Sequence, residues 1–187
     1  MVSKIYTYAW EQHKLGNNGE TYSGLTGKTK EDFGHGKARF ITYMNVFSNP
    51  ISNLNQTESV EIDDKQNLVK YGDVLFTTSS ETPAEVGMSS VWLGNDENVY
   101  LNSFCFGFRP SSVIDYYYLG VMLRSPIIRK KFTLLGQGIS RYNISKNKVM
   151  DMEIPLPKIS EQRQIGSFFQ QLDNLITLHQ RKCLKIQ

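Results

Sequence analysis

Seven Lys or Arg residues fall between Arg124 and Lys148, with no Asp or Glu among them. An acid-free basic block is an electrostatic footprint for a polyanion, nucleic acid above all. A solvated helix face is the bland alternative. Inside the block, Gly136-Gln-Gly-Ile-Ser-Arg141 places an amide, a hydroxyl and a guanidinium on a glycine-flanked loop. Glycine lets a backbone approach a ligand closely. Arg suits guanine edges and Gln suits adenine edges. Gln137, Ser140 and Arg141 are therefore the first candidate DNA contacts, against a helix end with Arg141 in a surface ion pair. Lys28, Lys30, His35, Lys37 and Arg39 form a second group, in and just after a Gly-, Asn-, Ser- and Thr-rich stretch. Thr78, Ser79 and Ser80, with Tyr43 and Asn45, form a third. Tyr43 fits a core position equally well. Arg129, Lys130 and Lys131 are candidate backbone contacts, or simply a helix surface.

Enzyme motifs fail on their spacing. Gly27-Lys28-Thr29 has the end of a phosphate-binding loop, but Tyr22 stands where that loop needs its first glycine. Phe33-Gly-His-Gly36 is too short for a dinucleotide fingerprint and lacks a strand–helix–strand setting. His13, His35 and His179 are far apart and have no companions at ligand spacing, so no metal is expected. Asp63-Asp64-Lys65 has the acid-x-Lys form of metal-dependent nucleases, yet its upstream acid, Asp32, falls on an expected loop. No Asn/Asp-Pro-Pro-aromatic sequence marks an adenine-flipping methyltransferase centre. No catalytic residue is expected.

A chain of 187 residues, 40% of them hydrophobic, is enough for one domain with a short appendage. The net charge of +3 hides an acidic middle, residues 41–123, beside the basic block. Two cysteines, Cys105 and Cys183, give no disulfide framework, which favours a reducing compartment. No apolar run reaches the roughly 18 residues of a membrane span. Met1 to Trp10 lacks the apolar core of a signal peptide. A soluble, cytoplasmic protein is expected.

The elements that must hold these residues follow from periodicity. Gly16–Gly36 is expected to be a long loop. Strands are expected at 40–47, 60–62, 74–78, 86–93 and, most clearly, 99–109, where Phe104, Phe106 and Phe108 would share a face. Lys70-Tyr-Gly-Asp73 is a turn. Ser79–Pro83 reads as a polar loop. Ser112 is the expected cap of a helix reaching about Arg124. Ser125-Pro126 opens a second helix, which Gly136 ends in a left-handed conformation. Met152, Ile154 and Leu156 alternate in an edge segment bounded by Pro155 and Pro157. From Ser160, an expected cap, one helix runs about 27 residues. Ile165, Phe168, Leu172, Leu175 and His179 form one stripe along it, and Phe169, Leu172, Ile176, Cys183 and Ile186 another. The combined face is wider than one buried side needs, which points to a helical partner.

The combination Gly136-Gln-Gly-Ile-Ser-Arg141, Ile154-Pro-Leu-Pro157, Glu161-Gln162, Phe168-Phe169 and Leu172-Asp173 resembles the conserved segment of type I restriction–modification specificity (S) subunits. Trp10-Glu-Gln12, Lys14-Leu-Gly16 and Lys70-Tyr-Gly-Asp-Val-Leu-Phe76 resemble the opening and the Gly-Asp strand of their target recognition domains. Gly27–Gly36 resembles one subgroup of them. The resemblance implies an α/β (mixed α+β) fold. A target recognition domain, 1–157, would have a curved, barrel-like sheet and flanking helices. A long C-terminal helix, 158–187, would serve coiled-coil pairing. It implies a non-catalytic subunit that reads one half of a bipartite site on double-stranded DNA. It also implies modification (methyltransferase) and restriction subunits as partners, with S-adenosylmethionine, ATP and Mg²⁺ in those partners and no cofactor in this chain. Ile165, Phe168, Phe169, Leu172, Leu175 and Ile176 would carry helix pairing and the modification-subunit contact. One recognition domain and one helix make a half-size S subunit, a separated half or a fragment. A half could form a homodimer, which implies a split palindromic site, or pair with another S half. A helix-mediated interaction module without DNA binding, or a stand-alone nuclease, are the competing classes.

Overall fold

The computed structural model describes residues 10–184, with side chains through 180. The signal-peptide reading of residues 1–9, and the Cys183 and Ile186 end of the second apolar stripe, lie outside the described residues. Eleven strands are described: β1 Gln12–Lys14, β2 Gly19–Ser23, β3 Phe33–Ile41, β4 Thr57–Val60, β5 Val74–Thr77, β6 Ser79–Ser80, β7 Ser89–Val91, β8 Val99–Leu101, β9 Cys105–Pro110, β10 Tyr142–Asn143 and β11 Glu153–Pro155. Five helices accompany them: α1 Tyr43–Ser48, α2 Tyr116–Leu123, α3 Pro126–Leu135, α4 Lys146–Met150 and α5 Ile159–Leu184. No described helix is long and apolar enough to cross a membrane.

The mixed α/β class is as expected, but no barrel closes among the described residues. One open sheet runs β2-β9-β5-β7 and is antiparallel. A second runs β4-β3-β8, with β3 and β8 parallel. Two short ribbons, β1–β11 and β6–β10, tie distant parts of the chain together. β5 is buried on both faces, so its Val-Leu-Phe-Thr run needs no polar alternation. Val74 and Phe76 enter the larger core with Phe106, Phe108, Leu119 and Phe132, while Leu75 enters a smaller one with Ile41, Trp92 and Leu101. That split is the strand period of two made physical.

Several expected elements are corrected. Gly16–Gly36 is not one loop: it contains β2, short 3₁₀ turns at Leu15–Asn18 and Lys30–Asp32, and the start of β3. The strand expected at 40–47 ends at Ile41. Thr42 then accepts a hydrogen bond from the Asn45 amide at 3.1 Å and caps α1. Strand propensity at Tyr43, Val46 and Phe47 yields to that cap. The run 99–109 is two strands, because Asn102 accepts from the Cys105 and Phe104 amides (3.0 and 2.8 Å) and turns the chain between sheets. Phe104 is thereby 59% exposed, whereas Phe106 and Phe108 are buried. The expected strand at 60–62 is β4, ending at Val60, and that at 86–93 is only β7. Ser79–Pro83 includes β6. Asp115, not Ser112, caps α2 by accepting from the Tyr118 amide. Gly136 is not left-handed (φ −64°). α5 already includes Ser160, and Glu161 accepts from the Lys158 amide at 3.2 Å.

The start of α5 is fixed to the domain. Gln162 is buried, accepts from the Asp115 amide at 3.1 Å and donates to the Pro157 carbonyl at 2.8 Å. Gly166 lets α5 approach α2 closely: a Cβ there would stand 2.1 Å from Asp115 Oδ1. From Ser167 to Gln180 every residue is exposed.

Asp73 ends the turn before β5 and is almost wholly buried. Its carboxylate accepts from Tyr22 Oη (2.7 Å), Arg109 Nε (2.9 Å), Arg109 Nη2 (2.7 Å) and the Lys70 amide (2.8 Å). Burial, and then the neighbouring Asp73, hold the Tyr22 phenol well above its ordinary value. Asp73→Asn removes the charged acceptor from a buried site where four donors converge, and losing a buried hydrogen-bond partner typically costs about 1–3 kcal/mol. Urea unfolding of the variant is expected to show a loss of that size.

Candidate nucleic-acid interface

The open concave feature nearest the sequence candidates is a groove of about 400 Å³. Tyr43, Met44 and Phe47 of α1 form one wall, and Ser79, Ser80, Glu81, Glu85, Phe104 and Arg141 the rest. Four residues proposed from three separate sequence regions thus meet at one place: Tyr43, Ser79, Ser80 and Arg141. Tyr43 donates to the Ser79 carbonyl at 2.7 Å and stacks on Phe47, with ring centroids 5.9 Å apart. Its phenol is held above the ordinary value, first by burial; Glu85 pushes the same way and Arg141 opposes.

Arg141 reaches the groove on a hairpin. Gln137 and Asn143 exchange backbone hydrogen bonds (2.9 and 2.8 Å), and β10 pairs with β6. Ile144 donates to the Thr78 carbonyl at 2.9 Å, which ties the hairpin to the end of β5. Gly138 has φ +147°, and a Cβ there would stand 2.0 Å from the Arg141 carbonyl oxygen. The turn therefore requires glycine. Gln137, Ser140 and Arg141 are exposed, as is Ile139 at 95%. The alternative of a helix end with Arg141 in an ion pair is not what the hairpin presents: Arg141 has no ion pair among the described residues.

The basic block divides into inward and outward cations. Arg129 donates to the carbonyls of Gly87 (2.9 Å), Ala84 (2.8 Å) and Val86 (2.6 Å), with its guanidinium 4.9 Å from the Phe132 ring centroid. Arg124 donates to the carbonyls of Ser89 (2.7 Å), Val46 (2.7 Å) and Asn49 (3.2 Å) and so satisfies the end of α1. Burial, with Arg129 nearby, pushes Arg124 down to about 10. Lys131 donates to the Glu153 carbonyl at 2.6 Å. Arg129 is thus corrected from a candidate DNA contact to an internal tie, while Lys130 is exposed and the Lys131 bond lies at the surface.

The front group divides in the same way. Lys28 forms ion pairs with Asp63 (2.8 Å) and Asp32 (3.9 Å), its side chain only 12% exposed. The Lys28 hydrogen bond, aided by the Lys65 amide, holds the Asp63 carboxyl down to about 2. Arg39 spends its guanidinium on Thr57 Oγ1 (3.0 Å), Ser59 Oγ (3.3 Å) and the Thr57 carbonyl (2.5 Å) across the β3–β4 pair. Asn45 is fully buried, donating to the Asn53 and Gln56 carbonyls (2.8 and 2.9 Å), and offers no surface to a ligand. Lys28 and Asn45 are corrected accordingly, while Arg39 remains exposed along β3. His35 contacts Glu61 (2.9 Å) and the Glu31 carbonyl (2.6 Å). Lys30 and Lys37 are exposed. Thr78 donates its hydroxyl to the Phe104 carbonyl at 2.8 Å. Sequence reasoning missed Met44, Phe47, Glu81, Glu85 and Phe104. Exposure of an aromatic beside a turn is not a local sequence signal. The described residues hold no cluster of metal-ligating side chains.

Beyond this site, the outward face of α5 presents Phe168 (58%), Leu172 (37%), Leu175 (62%) and Ile176 (55%) to solvent. Ile165 instead packs against the core, and Phe169 lines an apolar groove with Trp10, Ile127 and Ile128.

Comparison with known proteins gives a consistent answer. The model of the type I restriction modification DNA specificity domain matches residues 9–187. A protein of Methanocaldococcus jannaschii, named as the MjaX type I restriction enzyme specificity subunit, is 26% identical over 175 residues, covering 89% of this chain and 40% of that protein. The crystal structure of the type I S subunit from M. genitalium superposes with a TM-score of 0.60 at 18% identity, over 94% of this chain and 43% of its own. The HsdS subunit from Thermoanaerobacter tengcongensis gives 0.62 at 16% identity, over 97% and 42%. The chain spans about two fifths of the length of these relatives.

His35 provides a pH handle on the front turn. The hydrogen bond with Glu61, then that with the Glu31 carbonyl, raises its pKa above the ordinary 6.5. A raised histidine contributes stability in full below its unfolded value and loses it as pH rises through the folded one. An NMR titration is expected to place His35 above an unfolded histidine, and Glu61→Gln to bring it back down.

Proposed function

Because the chain belongs to the type I restriction–modification DNA specificity family, we propose that it binds double-stranded DNA and reads one half of a bipartite site for modification and restriction subunits. The match over residues 9–187 carries this reading. The groove supports it, since it joins an exposed guanidinium, hydroxyls and aromatic surface on a paired hairpin and a helix. Phosphate contacts position such a protein and base-edge contacts specify. Lys30, Lys37 and Lys130 are the phosphate contacts in this account. Gln137, Ser140 and Arg141, with Tyr43 and Ser79 opposite, face the bases.

The chain itself has no catalytic role in this proposal. S-adenosylmethionine, ATP and Mg²⁺ belong to the partner subunits. The division proposed is a recognition domain, 1–157, and an assembly helix, 158–187, whose first turns are seated on the domain and whose exposed run begins at Ser167. Phe168, Leu172, Leu175 and Ile176 then pair with a second S-type helix, from another copy or another S half, and with a modification subunit. Ile165 seats the helix on its own domain, and Phe169 stays available at the edge of the apolar groove.

Two variants test the two surfaces separately. Arg141→Ala is expected to weaken DNA binding by the assembled complex roughly tenfold or more. Lys30→Ala should weaken all sequences alike and lower the salt slope by about one. Unchanged binding by Arg141→Ala at low and moderate salt removes the hairpin from the interface. Phe168→Asp is expected to abolish co-purification with the modification subunit while circular dichroism stays unchanged. Retained co-purification removes this face from assembly.

A further inference from the structure

The groove is lined by both signs of charge. Arg141 stands on the hairpin, and Glu81 and Glu85 lie on the segment after β6. Among the described residues these opposite charges form no ion pair with one another. Glu85 accepts from Thr82 Oγ1 at 2.7 Å, while Glu81 is exposed. A donor-only guanidinium and an acceptor-only carboxylate therefore remain available in one recess. Carboxylates are a poor lining for a phosphate track, because each meets the like charge of the backbone. A carboxylate in a DNA-facing recess is accommodated where it meets a base donor. In the major groove those donors are the exocyclic amino groups, and Glu accepts from cytosine N4. Guanine offers O6 and N7 as acceptors to a bidentate Arg. A G·C pair presents both patterns side by side.

Resting on the DNA-reading proposal above, we infer that the groove reads a G·C pair, with Arg141 donating to guanine and Glu81 accepting from cytosine N4. Glu81 is thus a specificity-determining residue. The neighbouring exposed Met44 and Phe104 supply apolar surface against the base edges. Tyr43 stays tied to the Ser79 carbonyl and fixes the width of the recess.

Selection of duplexes from a randomised library by the assembled specificity–modification complex, followed by sequencing, tests this. The wild type is expected to enrich a half-site with a required G·C pair. Glu81→Ala, which removes the acceptor offered to cytosine N4, should relax the requirement for that G·C pair by roughly tenfold. The rest of the half-site should stay the same. Glu81 is exposed, so the variant's melting temperature should match the wild type. A consensus identical to the wild type overturns the assignment of Glu81. A wild-type half-site without any G·C pair overturns the inference while leaving DNA reading intact. Enrichment of no sequence by the wild type overturns both.

Discussion

The carboxylate of Asp73 holds three strands in register. It takes four hydrogen bonds in a buried position: one from β2 through Tyr22, two from β9 through Arg109, and one from its own turn. A buried charge is tolerable only when its lone pairs are filled, so the strands that deliver those donors are constrained together. β5 leaves this point and runs directly into Thr78, Ser79 and Ser80. The turn before β9 delivers Phe104, whose carbonyl accepts from Thr78. The hairpin carrying Arg141 hangs from the same segment through Thr78 and β6. The groove is therefore an outgrowth of one satisfied carboxylate, several residues away.

A second constraint separates holding from presenting. Arg124 and Arg129 are spent on carbonyls inside the domain. Gln162 and Gly166 seat the first turns of α5 against α2. Beyond that seat the helix keeps large apolar side chains in solvent. Exposed faces of that size are the mark of an interaction surface. One chain thus offers a recess of mixed charged and aromatic lining and an apolar helix face, joined through a buried anchor.

Much of this was legible in the sequence, and the exceptions have physical causes. The Gly-Asp turn, the Ser125-Pro126 helix start and the edge strand before Pro157 carry local chemistry, and each is observed. The helix α1 was hidden because Tyr43, Val46 and Phe47 favour strands, and only the Thr42 cap with tertiary packing overrides them. The break at Asn102 was hidden because alternation continues through it. Charge counting overrated the basic block and the front stretch. A sequence shows how many cations there are, not that Arg129 faces three carbonyls or that Lys28 faces Asp63. The meeting of Tyr43, Ser79 and Arg141 is a property of topology, since β6 pairs with β10 across more than sixty positions.

The central claim is that this domain directs a modification subunit to a defined DNA sequence. Sequencing that maps methyl-adenine in the DNA of cells co-expressing the chain with a type I modification subunit tests that claim most directly. The account predicts methylation confined to a motif of two short elements split by a spacer. A complex that co-purifies intact yet leaves the DNA without such a motif would contradict it.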